Sequence, residues 1–244
     1  MIDHNTVALV TGADRGLGAM FVETLVARGA GKVYAATHRA ADADAFQNPR
    51  VVPVTLDVTN PEDVKRVAAM ASDVSLLINN AGVNTQTGAL HAGQPERARL
   101  EMEVNFFAML AMANAFATHL IASRGAMVNI LSVLARVSLP SMTSLCASKA
   151  AGLRLTEGLD AELAPQGVRV YAVMPGAIDT DMSRDYIGEK LTTREVVDAT
   201  LDAIGGAPRE IYIGAMAQGV AGMLAADRTT LHAQILGGAQ AQPQ

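Results

Sequence analysis

The stretch TVALVTGADRGLG at residues 6–18 decides the fold. Its first half, TVALVT (6–11), is a β-branched apolar run too short for a helix, and it leads into the turn TGADRGLG (11–18), after which a helical pattern opens. Gly12, Gly16 and Gly18 let the backbone bend sharply and approach a ligand closely. The amides and the positive dipole end of the following helix favour negative charge at that place. Strand, glycine turn and helix in this order are the setting in which such a turn holds a pyrophosphate.

Working outward, six more runs of the same kind follow: KVYAAT (32–37), VVPVT (51–55), VSLLIN (74–79), AMVNILS (126–132), VRVYAVM (168–174) and EIYIG (210–214). Several are apolar on both faces, and helical patterns at 16–28, 61–71, 95–122, 142–164 and 194–204 separate them. This alternation predicts an α/β fold, a Rossmann-like doubly wound parallel sheet of about seven strands with helices on both faces. A chain of 244 residues, half of them hydrophobic, suits one core. With no repeat and no linker in sight, residues 1–236 are expected to form a single domain and 237–244 a loose tail. Residues 179–193 are poor in apolar side chains and follow a strand end, so they are expected to form a mobile lid.

The formal net charge is −5 and no run of Lys and Arg is clustered, which argues against a nucleic-acid partner. Cys146 is the single cysteine; no intrachain disulfide or zinc cluster can form, which suits a reducing compartment. No secretory pattern opens the N-terminus, so a cytoplasmic location is expected. The apolar stretch at 100–121 is long enough to span a bilayer. Glu101, Glu103, Asn105, Asn114 and His119 interrupt it, so it reads as a long, mostly buried helix with no membrane partner.

The end of the second strand refines the ligand. A carboxylate about 20 residues beyond the glycine turn ordinarily holds the ribose hydroxyls of NAD. Here Thr37, His38 and Arg39 occupy that place, and Arg15 adds a positive charge within the turn. Arginine pairs with phosphate in a bidentate fork and a carboxylate repels it, so NADP(H) is the expected cofactor.

With these residues the sequence resembles the short-chain dehydrogenase/reductase superfamily, in its group with the TGxxxGxG turn. The similarity also includes LDVT (56–59), NNAG (79–82), EVN (103–105), NILS (129–132), ASK (147–149) and PGAIDT (175–180), in the family's order and spacing. The resemblance implies that Gly12, Asp14, Arg15, Gly16, Leu17 and Gly18 line the phosphates, and that Asp57 and Val58 contact the adenine. It implies further that Asn80, Ala81 and Gly82 line the cleft, and that Pro175, Gly176, Ile178 and Thr180 hold the carboxamide. Lys149 would grip the nicotinamide ribose, Ser132 would hydrogen-bond the substrate oxygen, and Asn105 would position a water. Leu134, Leu145 and Tyr186 would wall the substrate. The family's catalytic tyrosine belongs four residues before the lysine and 13 after the serine, and both counts land on Leu145.

That departure bears on the chemistry. Hydride addition to a carbonyl leaves an alkoxide, and a positioned acid is worth roughly 10²–10⁴-fold in rate. An iminium carbon becomes a neutral amine on taking hydride and needs no acid in that step. The resemblance therefore implies an NADPH-dependent reductase of C=O or C=N bonds in a small, apolar substrate. Two alternatives stand beside it: a Tyr-to-Leu variant of an ordinary carbonyl reductase, and a nucleotide-binding sensor or scaffold without turnover. Of the other tyrosines, Tyr34, Tyr171 and Tyr212 fall in predicted strands, where aromatics are ordinarily core, which leaves Tyr186 in the lid as a substitute acid. Ser144 and Cys146 should point away from Leu145's direction on their helix. By resemblance, a homodimer or homotetramer is expected.

Overall fold

The computed structural model of the chain describes residues 2–39, 46–90, 93–206, 208–227, 230, 231 and 234. Its strands are β1 (Val7–Thr11), β2 (Lys32–Thr37), β3 (Val51–Thr55), β4 (Leu76–Asn79), β5 (Ala126–Ile130), β6 (Arg169–Pro175) and β7 (Glu210–Ile213). They form one sheet in the order β3-β2-β1-β4-β5-β6-β7, every neighbouring pair parallel. The expected seven-stranded doubly wound sheet is therefore present, and its strands start and end within two residues of the predicted runs. The anticipated tail at 237–244 lies outside the described residues.

Alternation along the strands builds two apolar layers. Ala8 and Val10 of β1 face α1 (Gly16–Ala27) and α6 (Thr193–Ala203), where Phe21, Leu25, Val196, Val197 and Leu201 complete one core. Leu9, between them, faces α2 (Pro61–Met70) and α4 (Ala108–Ser123), packing with Val67, Met112, Phe116 and Leu120. Helix entries are set locally. Asn60 caps α2 by accepting from the amides of Glu62 and Asp63, with Pro61 in its first turn, and Thr192 and Glu195 form a capping box on α6.

The predicted long helix at 95–122 is interrupted. α3 (Gln94–Met102) passes into a π turn (Glu103–Phe107) before α4, and Asn105 sits buried in that turn. One helical span among the described residues, Pro95–Ser123, has the length and hydropathy to cross a membrane, but only a third of its apolar window is buried. The expectation of a mostly buried helix is corrected: Leu100 and Phe107 lie on an outward face and are about half exposed. A further helix, α7 (Ala215–Ala226), was not expected from sequence. Its alanines and glycines give no apolar stripe to read, and Ala217 is the residue it buries.

A buried polar chain ties the centre of the sheet to α5 (Thr143–Leu163). Asn79 donates to Asn129 Oδ1 at 2.8 Å, Asn129 donates to Thr156 Oγ1 at 2.9 Å, and Thr156 donates to the Gly152 carbonyl at 2.7 Å. Removing the middle member leaves the Asn79 amide without its acceptor in a dry core, while Thr156 keeps only its bond to Gly152. Asn129→Ala is expected to cost about 2–3 kcal/mol in urea unfolding at unchanged slope; a loss under about 0.5 kcal/mol would show that the chain is not under such constraint.

Candidate active site

Strand order reverses between β1 and β4, so their carboxyl ends open a crevice, the place where ligands bind in open α/β sheets. The glycine turn and the NNAG segment meet there. Thr11 Oγ1 accepts from the amides of Asn80 and Ala81, both at 3.0 Å, and Asn80 Nδ2 donates to the carbonyls of Thr11 and Gly12 at 2.9 and 3.1 Å. A Cβ on Gly18 would sit 1.9 Å from the Gly12 carbonyl oxygen, and one on Gly12 (φ +63°) would lie 3.1 Å from Ala81 Cα. These contacts are possible only for glycine.

The first turn of α1 carries no acidic residue and its start has no side-chain cap. Its leading amides are therefore free to face an anion. The Leu17 side chain is buried in the core, so this residue can offer a ligand its backbone amide only. Arg15 is exposed and paired with Asp14 at 2.7 Å; such a surface pair is weak enough to yield to a phosphate. At the end of β2, Thr37 spends its hydroxyl on the Arg39 carbonyl at 3.0 Å, while His38 and Arg39 remain exposed at the surface. Of that trio, His38 and Arg39 are open to solvent, and Thr37 shapes the turn. Asp57 accepts from the amide and hydroxyl of Thr59 at 2.9 and 2.7 Å, beside half-buried Val58.

On the other wall, β6 ends at Pro175, and Gly176 donates its amide to the Ile213 carbonyl at 3.2 Å. Thr180 comes close to the phosphate turn: a Cβ on Gly16 would meet its methyl at 3.4 Å. The anticipated lid begins here. Ile178 and Leu191 bridge its two ends, and a short helical turn (Asp181–Ser183) lies between them.

Lys149 on α5 is 9% exposed and donates to the Ile130 carbonyl at 3.1 Å. Burial pushes its ammonium down from 10.5 to about 8. Asn105 stands close by, since a Cβ on Gly82 would lie 3.1 Å from Asn105 Oδ1 and 3.6 Å from Lys149 Nζ. Asn105 also accepts from the Val83 amide and donates to the Val83 carbonyl and to Ser148 Oγ. Ser132 is partly buried after β5, accepts from the Leu134 amide at 3.2 Å and keeps its own proton available. Leu145 is buried one helical turn before Lys149, and Leu134 is partly exposed beside Ser132.

The tyrosines expected to be core have committed hydroxyls. Tyr34 donates to Asp73 at 2.9 Å, Tyr171 accepts from the Gly205 amide at 2.8 Å, and Tyr212 donates to Glu210 at 2.7 Å. Tyr186 is exposed in the lid with its ring against Gly188, where a Cβ would meet the phenol oxygen at 2.7 Å. Burial raises the Cys146 thiol, whose sulfur accepts from the Leu139 amide, so it is poorly suited to act as a nucleophile. Among the described residues, no group of His, Cys, Asp and Glu could hold a metal ion.

Sequence reasoning passed over three residues: Thr11 as a clamp on NNAG, Ser148 behind Asn105, and Glu101. The last is fully buried and accepts from the Thr85 amide and hydroxyl at 2.7 and 2.8 Å, while its Oε2 has no hydrogen-bond partner. A charge inside an apolar helix was its signal.

Residues 6–190 match the family model described as short chain dehydrogenase. The chain is 32% identical to the 3-oxoacyl-acyl-carrier-protein reductase FabG of Vibrio cholerae, over 84% of this chain and 86% of that protein. It is 36% identical to the 1-deoxy-11-beta-hydroxypentalenate dehydrogenase of Streptomyces exfoliatus, over 72% and 68% of the two chains. Among solved structures, a short chain dehydrogenase from Burkholderia cenocepacia in complex with NADP superposes with a TM-score of 0.92 at 56% identity, covering 95% of this chain and 97% of that one.

The buried ammonium sets a prediction. Folding lowers its pKa from 10.5 to about 8, so between those values the unfolded chain binds more protons and stability rises with pH. At pH 7, Lys149→Met should stabilise the ligand-free protein by about 2–3 kcal/mol, a gain that shrinks toward pH 10. The same variant should lose the thermal shift on adding NADP. Thermal unfolding at both pH values checks this; a destabilised variant at pH 7, or an unchanged shift, would contradict it.

Proposed function

The chain belongs to the short-chain dehydrogenase family and is an oxidoreductase of that type; from that premise we propose that it uses NADP(H) and reduces C=N bonds of small, apolar substrates. The observation that carries this reading is Leu145, buried one turn before Lys149, where the family pattern requires a phenol.

The cradle fits the cofactor. Gly12 and Gly18 let the turn and the NNAG segment close against each other on backbone alone, and Arg15, His38 and Arg39 offer positive or neutral groups to a 2′-phosphate, for which Arg15 would give up its surface pair with Asp14. The Burkholderia cenocepacia structure was solved with NADP, which supports the same choice here. When bound, the reduced nicotinamide supplies hydride. Lys149, anchored on the Ile130 carbonyl, would hold the adjoining ribose hydroxyls. The Ser132 hydroxyl oxygen would accept from the N–H of a protonated imine, or its O–H would donate to a carbonyl oxygen, and so orient the reacting bond. Leu145 and Leu134 give the pocket an apolar wall that excludes water.

Without a phenol, an alkoxide forming in this pocket would have only Ser132 to stabilise it. An iminium carbon is already electron-poor and ends as a neutral amine, so hydride transfer needs no acid and solvent manages the earlier protonation. A second reading, carbonyl reduction, is favoured by relatives such as FabG, whose name specifies a 3-oxoacyl substrate. In that reading Ser132 and an ordered water share the proton. The half-exposed Leu100 and Phe107 on the α3–α4 face further support a homodimer or homotetramer.

NADPH oxidation measured against ketone and cyclic imine pairs of one skeleton should show turnover with the imines and little with the ketones. Leu145→Tyr should raise ketone reduction by roughly 10²-fold or more. Equal rates on both members of each pair would support carbonyl chemistry, and no turnover across the panel would favour a scaffold.

A further inference from the structure

The segment after NNAG runs along the mouth of the cleft and is held with unusual care. Val83 is fixed on both its amide and carbonyl by Asn105, and Thr85 is fixed on its amide and hydroxyl by Glu101, one turn earlier on the same helical span. The Thr85 and Thr87 hydroxyls meet at 2.9 Å, with Thr87 buried. Asn84 packs its amide on Met142 Sδ at 3.8 Å, and a Cβ on Gly88 would lie 2.8 Å from the Pro140 carbonyl, so the segment also rests against the approach to α5.

At the tip of this strap stands Gln86, exposed and with φ +52°, a left-handed conformation that a residue with a Cβ adopts at a cost. Its amide proton goes to Asn84 Oδ1 at 2.9 Å, and its side-chain Nε2 donates to the Met182 carbonyl at 3.2 Å. Met182 belongs to the short turn in the lid. The lid's base is closed by the Leu191 amide on the Ala177 carbonyl and the Asp179 amide on the Leu191 carbonyl, both at 2.8 Å. Within it, Ser183 and Tyr186 donate their amides to Thr180 and Ser183. Those bonds shape the lid but do not fasten it to the opposite wall. The Gln86 bond spans the two walls.

We propose that Gln86 is a gate residue, latching the lid at Met182 across the mouth of the cleft, with Glu101 as the positioning residue that holds the strap in reach. Local strain at an exposed tip persists where a function requires it. Here the left-handed turn aims the amide across the opening. An anchored strap makes the latch effective because only one side, the lid, has to move. Placement of substrate and cofactor behind this latch rests on the reading given under Proposed function; the latch itself does not.

The test uses the full-length protein without cofactor. Arg184 is exposed in the lid two residues from Met182, so trypsin cleavage after it reports the open form. Gln86→Glu keeps length and backbone strain but presents an acceptor to the Met182 carbonyl, and Gln86→Ala removes the group. Losing one neutral hydrogen bond should raise the open population, and hence cleavage, by roughly 3- to 10-fold. Glu101→Gln keeps an acceptor for Thr85 and should cleave at the wild-type rate, whereas Glu101→Leu should match Gln86→Ala. Stopped-flow release of NADPH should accelerate by a similar factor in both Gln86 variants. Wild-type cleavage rates in Gln86→Glu and Gln86→Ala, with far-ultraviolet circular dichroism unchanged, would overturn the latch. Failure of the wild-type protein to take up NADPH would instead overturn the reading of the site, and the cleavage rates would still decide the latch.

Discussion

The contact between the glycine turn and the NNAG segment is the constraint on which the rest depends. Thr11, at the last residue of β1, accepts two amides from the segment after β4, and Asn80 returns two hydrogen bonds to the turn. This clamp joins the two halves of the sheet at the point where strand order reverses, and it requires that positions 12 and 18 carry no side chain. At the turn itself the crevice presents backbone, because Gly12 and Gly18 have no side chains. A pyrophosphate is recognised by surfaces of that kind, through amides and helix dipole.

From that clamp the second wall follows. Asn105, in the π turn between α3 and α4, reaches the NNAG continuation at Val83 and the α5 residue Ser148, and so fixes where Lys149 stands. π turns are uncommon and concentrate at functional sites. The lysine itself is held at a loss, since burial with one carbonyl partner disfavours its charged form. A fold keeps such a group when a ligand compensates for it, and the ribose hydroxyls of a dinucleotide are suited to do so. Leu145, in contrast, costs nothing in that place: a buried leucine beside an apolar core is stabilising. The two positions thus differ physically: Lys149 is a buried cation held at a loss, whereas Leu145 adds to the core.

The sheet was legible because parallel strands buried on both faces read as continuous β-branched runs, and β1, β2, β3 and β6 kept their boundaries to within a residue. The turn residues were legible because glycine is the one residue whose absence of a side chain is visible in sequence. Side-chain partnerships were not. Nothing in the letters shows that Thr37 turns its hydroxyl inward to Arg39, that Leu17 is core, or that Arg15 is paired with Asp14. Glu101 was read as an interruption of an apolar helix; its real neighbour, Thr85, lies in a segment whose path is set by tertiary contacts. The π turn and α7 escaped for a related reason, because neither has a periodic signature of its own.

The most direct measurement is a calorimetric titration of the purified protein with NADPH and, separately, with NADH. One equivalent of NADPH bound per chain, at least about tenfold tighter than NADH, is the expected result, since on the proposed reading the exposed Arg15, His38 and Arg39 would meet the added phosphate. No heat of binding with either dinucleotide, or a preference for NADH, would contradict the reading of this crevice as a cradle for the phosphorylated cofactor.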